Sequence, residues 1–80
     1  WKDEVSRLEE ALRIEDFSEL RAIAHRLKGS LGLYGFNHAA DLNDRIEGAA
    51  ESADRKLLTV TVVALRQYLE TVTYVFIDSE

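Results

Sequence analysis

Apolar residues recur along this chain at alternating steps of three and four, the period that places side chains on one face of an α-helix. Four such stripes follow one another, and they predict amphipathic helices over about residues 2–14, 17–34 and 38–52 and over nearly twenty residues of the fourth stripe. The stripes are Trp1, Val5, Leu8, Leu12; Phe17, Leu20, Ala24, Leu27, Leu31, Tyr34; Ala39, Leu42, Ile46, Ala49, Ala53; and Leu58, Val62, Leu65, Leu69, Val72, Phe76.

Polar residues and one glycine mark the ends of these helices. Asp16 followed by Glu19 has the spacing of a capping box, which predicts that the second helix starts just after Asp16. Gly35 can adopt a left-handed backbone and is predicted to end that helix. Asn37 and Asp54 are the predicted caps of the third and fourth helices. Because the links are short, neighbouring helices should be antiparallel, and the predicted fold is an all-α, up-down-up-down four-helix bundle.

The fourth stripe allows one alternative. Residues 59–63 and 71–77 are rich in β-branched and aromatic side chains, which favour strands, so a strand pair is conceivable there. The residues between them contain no turn signal and the period is helical, which favours one long helix.

Size and composition narrow the possibilities further. Eighty residues make a single domain over residues 1–80, small enough that folding buries only about 60% of the unfolded chain's surface. There is no cysteine for a disulfide or a thiolate metal site, and no proline to interrupt the helices. Since the chain does not begin with methionine, we expect a fragment of a larger protein.

Charge and hydropathy argue against two classes of partner. The net charge is -5 and the basic residues are scattered, whereas a nucleic-acid surface needs clustered basic residues. No apolar run approaches the roughly 18 residues that cross a bilayer, and the first residues have no signal-peptide pattern. We therefore expect neither nucleic-acid binding nor membrane contact.

The second helix carries a histidine beside two glycines, each of which costs about 0.8–1 kcal/mol in a helix interior relative to alanine. Gly29 lies four positions after His25, where a Cβ is expected to crowd the imidazole. Lys28 leans towards the same patch. The remaining residues of this face are Arg21, Ala22 and Gly32. The pattern predicts an accessible imidazole nucleophile for a macromolecule that carries an anionic group.

This stretch resembles the signature of histidine-containing phosphotransfer (HPt) domains, the relay modules of bacterial hybrid sensor kinases. It is also similar to the first domain of chemotaxis kinases. The residues that carry the resemblance are His25, Leu27, Lys28, Gly29, Ser30, Gly32 and Gly35. It implies a cytoplasmic four-helix phosphocarrier that is not itself an enzyme, either free or fused to a membrane-bound sensor kinase. Because a closed bundle of four stripes needs no partner to cover its core, we expect a monomer.

The resemblance also implies roles for particular groups. His25 would accept a phosphoryl group from an aspartyl phosphate of a response-regulator receiver and pass it to another receiver. The receiver would supply the Mg²⁺, so no cofactor is expected on this chain. Lys28 would disfavour the imidazolium form and stabilise the phosphoryl oxygens, the alternative being a solvated surface lysine. The expected receiver-binding surface comprises Arg21, Ala22, Lys28, Gly29, Gly32 and Phe36.

For several residues around this motif, the sequence allows more than one role. Ser30 is expected either to orient the region of the imidazole or to bond to a carbonyl one turn earlier, or else to be a surface serine. The family places a polar residue near the histidine at the position of Glu47. Gly32 could serve the open face or close helix packing. His38 is expected to be exposed near a helix start, and with no matching cysteine or histidine no metal site is predicted.

Two other functions fit the same residues. The chain could be the phosphoacceptor domain of a chemotaxis-type kinase, although such domains usually carry an additional helix. It could also be a helical interaction module whose histidine is unused. A dimerising kinase core would need an acidic residue directly after the histidine, where this chain has Arg26.

Overall fold

A computed structural model describes the backbone of residues 2–78 and the side chains of residues 2–72. It contains four α-helices: α1 (Lys2–Arg13), α2 (Phe17–Leu33), α3 (Asn37–Glu51) and α4 (Arg55–Asp78). The predicted all-α class is confirmed. The strand pair is excluded because residues 59–63 and 71–77 all lie within α4. Over the described part of the chain, no helix combines the length and hydropathy needed to span a bilayer.

The helices enclose one core, because α2 and α4 each pack against both α1 and α3. All four predicted stripes contribute to it, although Trp1 and Phe76 lie outside the residues whose side chains are described. The largest fully buried side chains are Leu8, Leu20, Ile23, Leu31, Ile46, Leu58, Leu65, Val62 and Asn43.

Five of the core assignments differ from the predicted stripes. Tyr34 is exposed because α2 ends one residue before it. Ala53 is also exposed because it belongs to a link instead of α3. The stripes also missed three buried residues, Ala11, Ile23 and Ala50. The first two errors arise because the stripe was extended past the last helical turn.

The three links, residues 14–16, 34–36 and 52–54, adopt the same turn. In each, the N–H of the third link residue donates to a carbonyl five residues earlier, the pattern of a Schellman motif. These bonds run from Asp16 to Ala11 (2.8 Å), from Phe36 to Leu31 (2.9 Å) and from Asp54 to Ala49 (2.9 Å). The second link residues have left-handed φ angles of 59° at Glu15, 83° at Gly35 and 54° at Ala53. The predicted role of Gly35 is confirmed.

The shared turn also fixes where each following helix is capped. Asp16 Oδ1 accepts a hydrogen bond from the Glu19 N–H at 3.2 Å, as predicted. The corresponding cap of α4 is Asp54, whose Oδ1 accepts from the Leu57 N–H at 3.1 Å. The prediction for Asn37 is wrong, because the third link residue is Phe36, which has no side chain able to cap. Phe36 instead packs half-buried against the core.

Candidate functional site

His25 lies in the middle of α2, next to the buried Ala24 and two residues before the buried Leu27. Its own side chain is 69% exposed. The helical period explains this arrangement, because a residue adjacent to the core stripe is turned about 100° away from it. The imidazole is therefore accessible from solvent while its backbone is held by the packed helix.

Glu47 of α3 contacts the imidazole from the neighbouring helix. Its Oε1 lies 3.1 Å from His25 Nδ1, and its side chain is only 22% exposed. A carboxylate can only accept hydrogen bonds, so this contact assigns the proton of a neutral imidazole to Nδ1. Nε2 then keeps its lone pair, which is the state that a nucleophilic histidine requires.

Lys28 contacts two carboxylates of α3. Its Nζ lies 3.1 Å from Asp44 Oδ1 and 3.3 Å from Glu47 Oε2. The hydrogen bond to Asp44, and after it the ion pair with the Glu47 carboxylate, raise the pKa of the Lys28 ammonium above its ordinary value. Lys28 is thus a charged, paired residue and not a freely solvated surface lysine.

We refer to His25, Lys28, Asp44 and Glu47 as the histidine cluster. Glu47 is its centre, since one carboxylate oxygen contacts the imidazole and the other contacts the ammonium. That second oxygen, Oε2, is buried. It forms the ion pair with Lys28 but no well-aligned hydrogen bond. With neutral His25 the cluster has one positive and two negative charges, a net charge of -1.

Asp44 was missed by the sequence reasoning. The available signal was its position three residues before Glu47, which puts both carboxylates on the same side of α3. That signal becomes useful only when α3 is known to pack against α2.

The glycines leave open surface on α2, although for a different reason than expected. A Cβ built at Gly29 meets no atom within 4 Å, so the prediction that it would crowd the imidazole is wrong. The hydrogen bond to Glu47 holds the ring towards α3 and away from Gly29. A Cβ at Gly32 would only touch Ala40 Cβ, at 4.0 Å, so helix packing does not require a glycine there either.

The other predicted site residues do not all lie on the side of α2 that faces α3. Arg21 and Ala22 are exposed on α2, and Phe36 is half-buried after its end. Ser30 is exposed and lines a groove of about 190 Å³ between α1 and α2. The structure therefore does not bring Ser30 to the histidine cluster, which faces α3.

The acidic side chains of residues 2–72 form no cluster suited to a metal ion. Among the residues described, no group of three or more His, Cys, Asp or Glu side chains could hold a metal ion. The carboxylates of the histidine cluster are instead engaged with Lys28 and His25.

Comparison with known protein families gives a match over most of the chain. A family model described as "Hpt domain" matches residues 1–73, which include α1, α2, α3 and most of α4. Neither the curated proteins nor the solved structures include a significant match to this chain.

Proposed function

The chain belongs to the Hpt domain family, and from this premise we propose that it is a phosphorelay carrier that is phosphorylated on His25. It receives the phosphoryl group from an aspartyl phosphate of one response-regulator receiver and passes it to another receiver. Membership of the family implies histidine phosphotransfer in a two-component phosphorelay. The observation that carries the assignment to His25 is its exposed imidazole, with Nδ1 held 3.1 Å from Glu47 Oε1.

The transfer step is a displacement at phosphorus. The Nε2 lone pair of His25 forms the new N–P bond while the P–O bond to the aspartate breaks, and the electron pair leaves with the aspartate carboxylate. The Nδ1 proton stays in its hydrogen bond to Glu47, so no proton has to depart during the step. Transfer to the next receiver is the same displacement in reverse.

Lys28 contributes charge stabilisation in this proposal. Negative charge is spread over the phosphoryl oxygens in the transition state, and a nearby cation lowers its energy. The raised pKa of Lys28 keeps that cation charged at neutral pH. We assign the Mg²⁺ of the reaction to the receiver, together with the phosphorylated aspartate.

The receiver-binding surface is proposed to surround His25 on α2. Ala22, Gly29 and Gly32 are exposed and small, so a partner backbone can approach closely. Arg21 supplies positive charge beside them, and Phe36 adds apolar surface at the end of α2. A surface of this kind suits a transient complex, which buries relatively little area.

Incubation with a receiver that carries labelled phosphate on its aspartate tests this function. We expect acid-labile, alkali-stable label on the chain, and we expect His25→Gln to abolish it without loss of helical circular dichroism. Label that appears only with an ATP-dependent kinase would indicate the kinase phosphoacceptor domain instead. Absence of label over a panel of receivers and kinases would indicate a non-phosphorylated interaction module.

A further inference from the structure

Building on the proposed function, we propose that Asp44 tunes the phosphorylated state of His25 by competing with the phosphoryl group for Lys28. Asp44 is a positioning residue here, because it acts on the phosphoryl group through the lysine. Its effect is to weaken the hold of the site on the phosphoryl group and so to favour onward transfer.

The two carboxylates that hold Lys28 differ in their surroundings. Glu47 is 22% exposed and also fixes the imidazole, so its position is tied to the packed α2–α3 interface. Asp44 is 64% exposed and its contact with Lys28 is its single ion pair within the described residues. Of the two contacts, the one to Asp44 is therefore easier to give up.

Phosphorylation changes the balance of charge in the histidine cluster. A phosphoryl group brings about -1.5 to -2 charges at neutral pH, and the cluster without it already has a net charge of -1. Lys28 is the cluster's one cation. When its ammonium turns to the phosphoryl oxygens, it must leave Asp44 at least in part, and that exchange costs free energy.

Loss of the Asp44 charge should therefore stabilise phosphohistidine. Exposed ion pairs contribute about 0.2–1 kcal/mol, which corresponds to a change of about 1.5- to 5-fold in an equilibrium constant. Because solvent ions screen exposed charges, the effect should shrink as the salt concentration rises.

The test uses potassium phosphoramidate to phosphorylate the chain without a receiver. In Asp44→Asn we expect the equilibrium with a phosphorylated receiver to shift towards His25 by about 1.5- to 5-fold. The phosphohistidine half-life should lengthen as well, because the freed ammonium holds the phosphoryl group more tightly. Asp41→Asn is the matched control, because Asp41 is an exposed α3 aspartate that pairs with Arg45 at 3.3 Å. It should leave both quantities unchanged.

A double variant determines whether the effect passes through the lysine. In a Lys28→Gln background, Asp44→Asn should no longer lengthen the half-life. An unchanged half-life in Asp44→Asn, an equal change in Asp41→Asn, or an effect that persists without Lys28 would each overturn the proposal.

The half-life measurement also separates this proposal from the proposed function. If the half-life of chemically formed phosphohistidine lengthens in Asp44→Asn but no receiver transfers a phosphoryl group, the relay function is wrong and the role of Asp44 stands. If receivers do transfer but the half-life is unchanged in Asp44→Asn, the relay function stands and the role of Asp44 is wrong. Failure of phosphoramidate to label His25 would contradict the accessible Nε2 lone pair on which both proposals depend.

Discussion

The chain contains two exposed histidines in very different surroundings. His25 lies in mid-helix, with Glu47 from the next helix at its Nδ1 and Lys28 beside that carboxylate. His38 lies in the first turn of α3, where its ring packs edge-on against Tyr68 with the ring centroids 4.9 Å apart. Both rings are reachable from solvent, so exposure does not distinguish them.

The difference between them is what a second helix supplies. A carboxylate at Nδ1 selects one tautomer and orients the ring, whereas the edge of an aromatic ring provides packing without defining which nitrogen holds the proton. The tautomer that the proposed function requires of His25 is therefore a property of the α2–α3 pair.

Replacement of each histidine should give the largest contrast. His25→Gln removes the nucleophile, so label from a phosphorylated receiver should be lost completely. His38→Gln removes an imidazole that has no carboxylate partner among residues 2–72 and should keep the wild-type labelling rate. The measurement is the rate of acid-labile labelling in both variants. Label that moves to residue 38, or disappears in His38→Gln, would contradict the comparison.

Closing the approach to His25 should have the next largest effect. Gly29→Leu places a bulky side chain on the open surface of α2, and displacement of a docked receiver should slow transfer by about tenfold to a hundredfold. Gly48→Leu is the matched control, since a Cβ at Gly48 also meets no atom within 4 Å. Both variants should be slightly more stable than wild type, because leucine favours helices over glycine.

Transfer rates and urea unfolding of the two glycine variants provide the measurement. Equal rates in Gly29→Leu and wild type would exclude this part of α2 from the receiver-binding surface. A similar loss of rate in Gly48→Leu would mean that the effect comes from the fold and not from the approach to His25.

Removal of the Glu47 charge should have an intermediate effect. Glu47→Gln can donate as well as accept at Nδ1, so it no longer selects the tautomer with a free Nε2 lone pair. A hydrogen bond to a charged group contributes about 1.5–3 kcal/mol, so transfer should slow by about tenfold or more. Glu51→Gln, an exposed change one turn later in α3, is the control.

Measuring which nitrogen of His25 carries the proton separates a loss of tautomer selection from a general loss of stability. Imidazole ¹⁵N chemical shifts should show the Nδ1–H form of His25 in wild type and Glu51→Gln, and a mixture in Glu47→Gln. A slowed transfer with an unchanged tautomer would assign Glu47 some other role than selecting the protonated nitrogen.

Local sequence patterns were sufficient for most of the fold and for one side of the site. The caps at Asp16 and Asp54 and the left-handed Gly35 depend on residues within a few positions of one another, so they could be predicted. Asn37 was assigned wrongly because the link geometry, and not the side chain, sets the start of α3.

The other side of the site depends on contacts between helices. His25, Lys28 and Gly29 occupy one helix, and their proximity follows from its period. Asp44 and Glu47 lie 16 and 22 residues from the side chains they contact, and only the packing of α3 on α2 brings them there. No local pattern encodes that packing, which explains why Asp44 was missed and Glu47 depended on a resemblance.

The smallest predicted effect concerns Lys28 and Asp44, the ion pair that lies near His25. The pKa of Lys28 is raised above 10.5 in the folded chain, chiefly by its hydrogen bond to Asp44. Its contribution to stability should therefore be fully present below pH 10.5 and disappear as the pH rises through the folded-state pKa. The difference in unfolding free energy between wild type and Lys28→Met should show this decline. Lys56→Met, which removes a lysine with no ion pair in the described structure, is the control for the change of side chain. Parallel curves for the two variants would mean that the carboxylates around His25 do not hold Lys28 in solution.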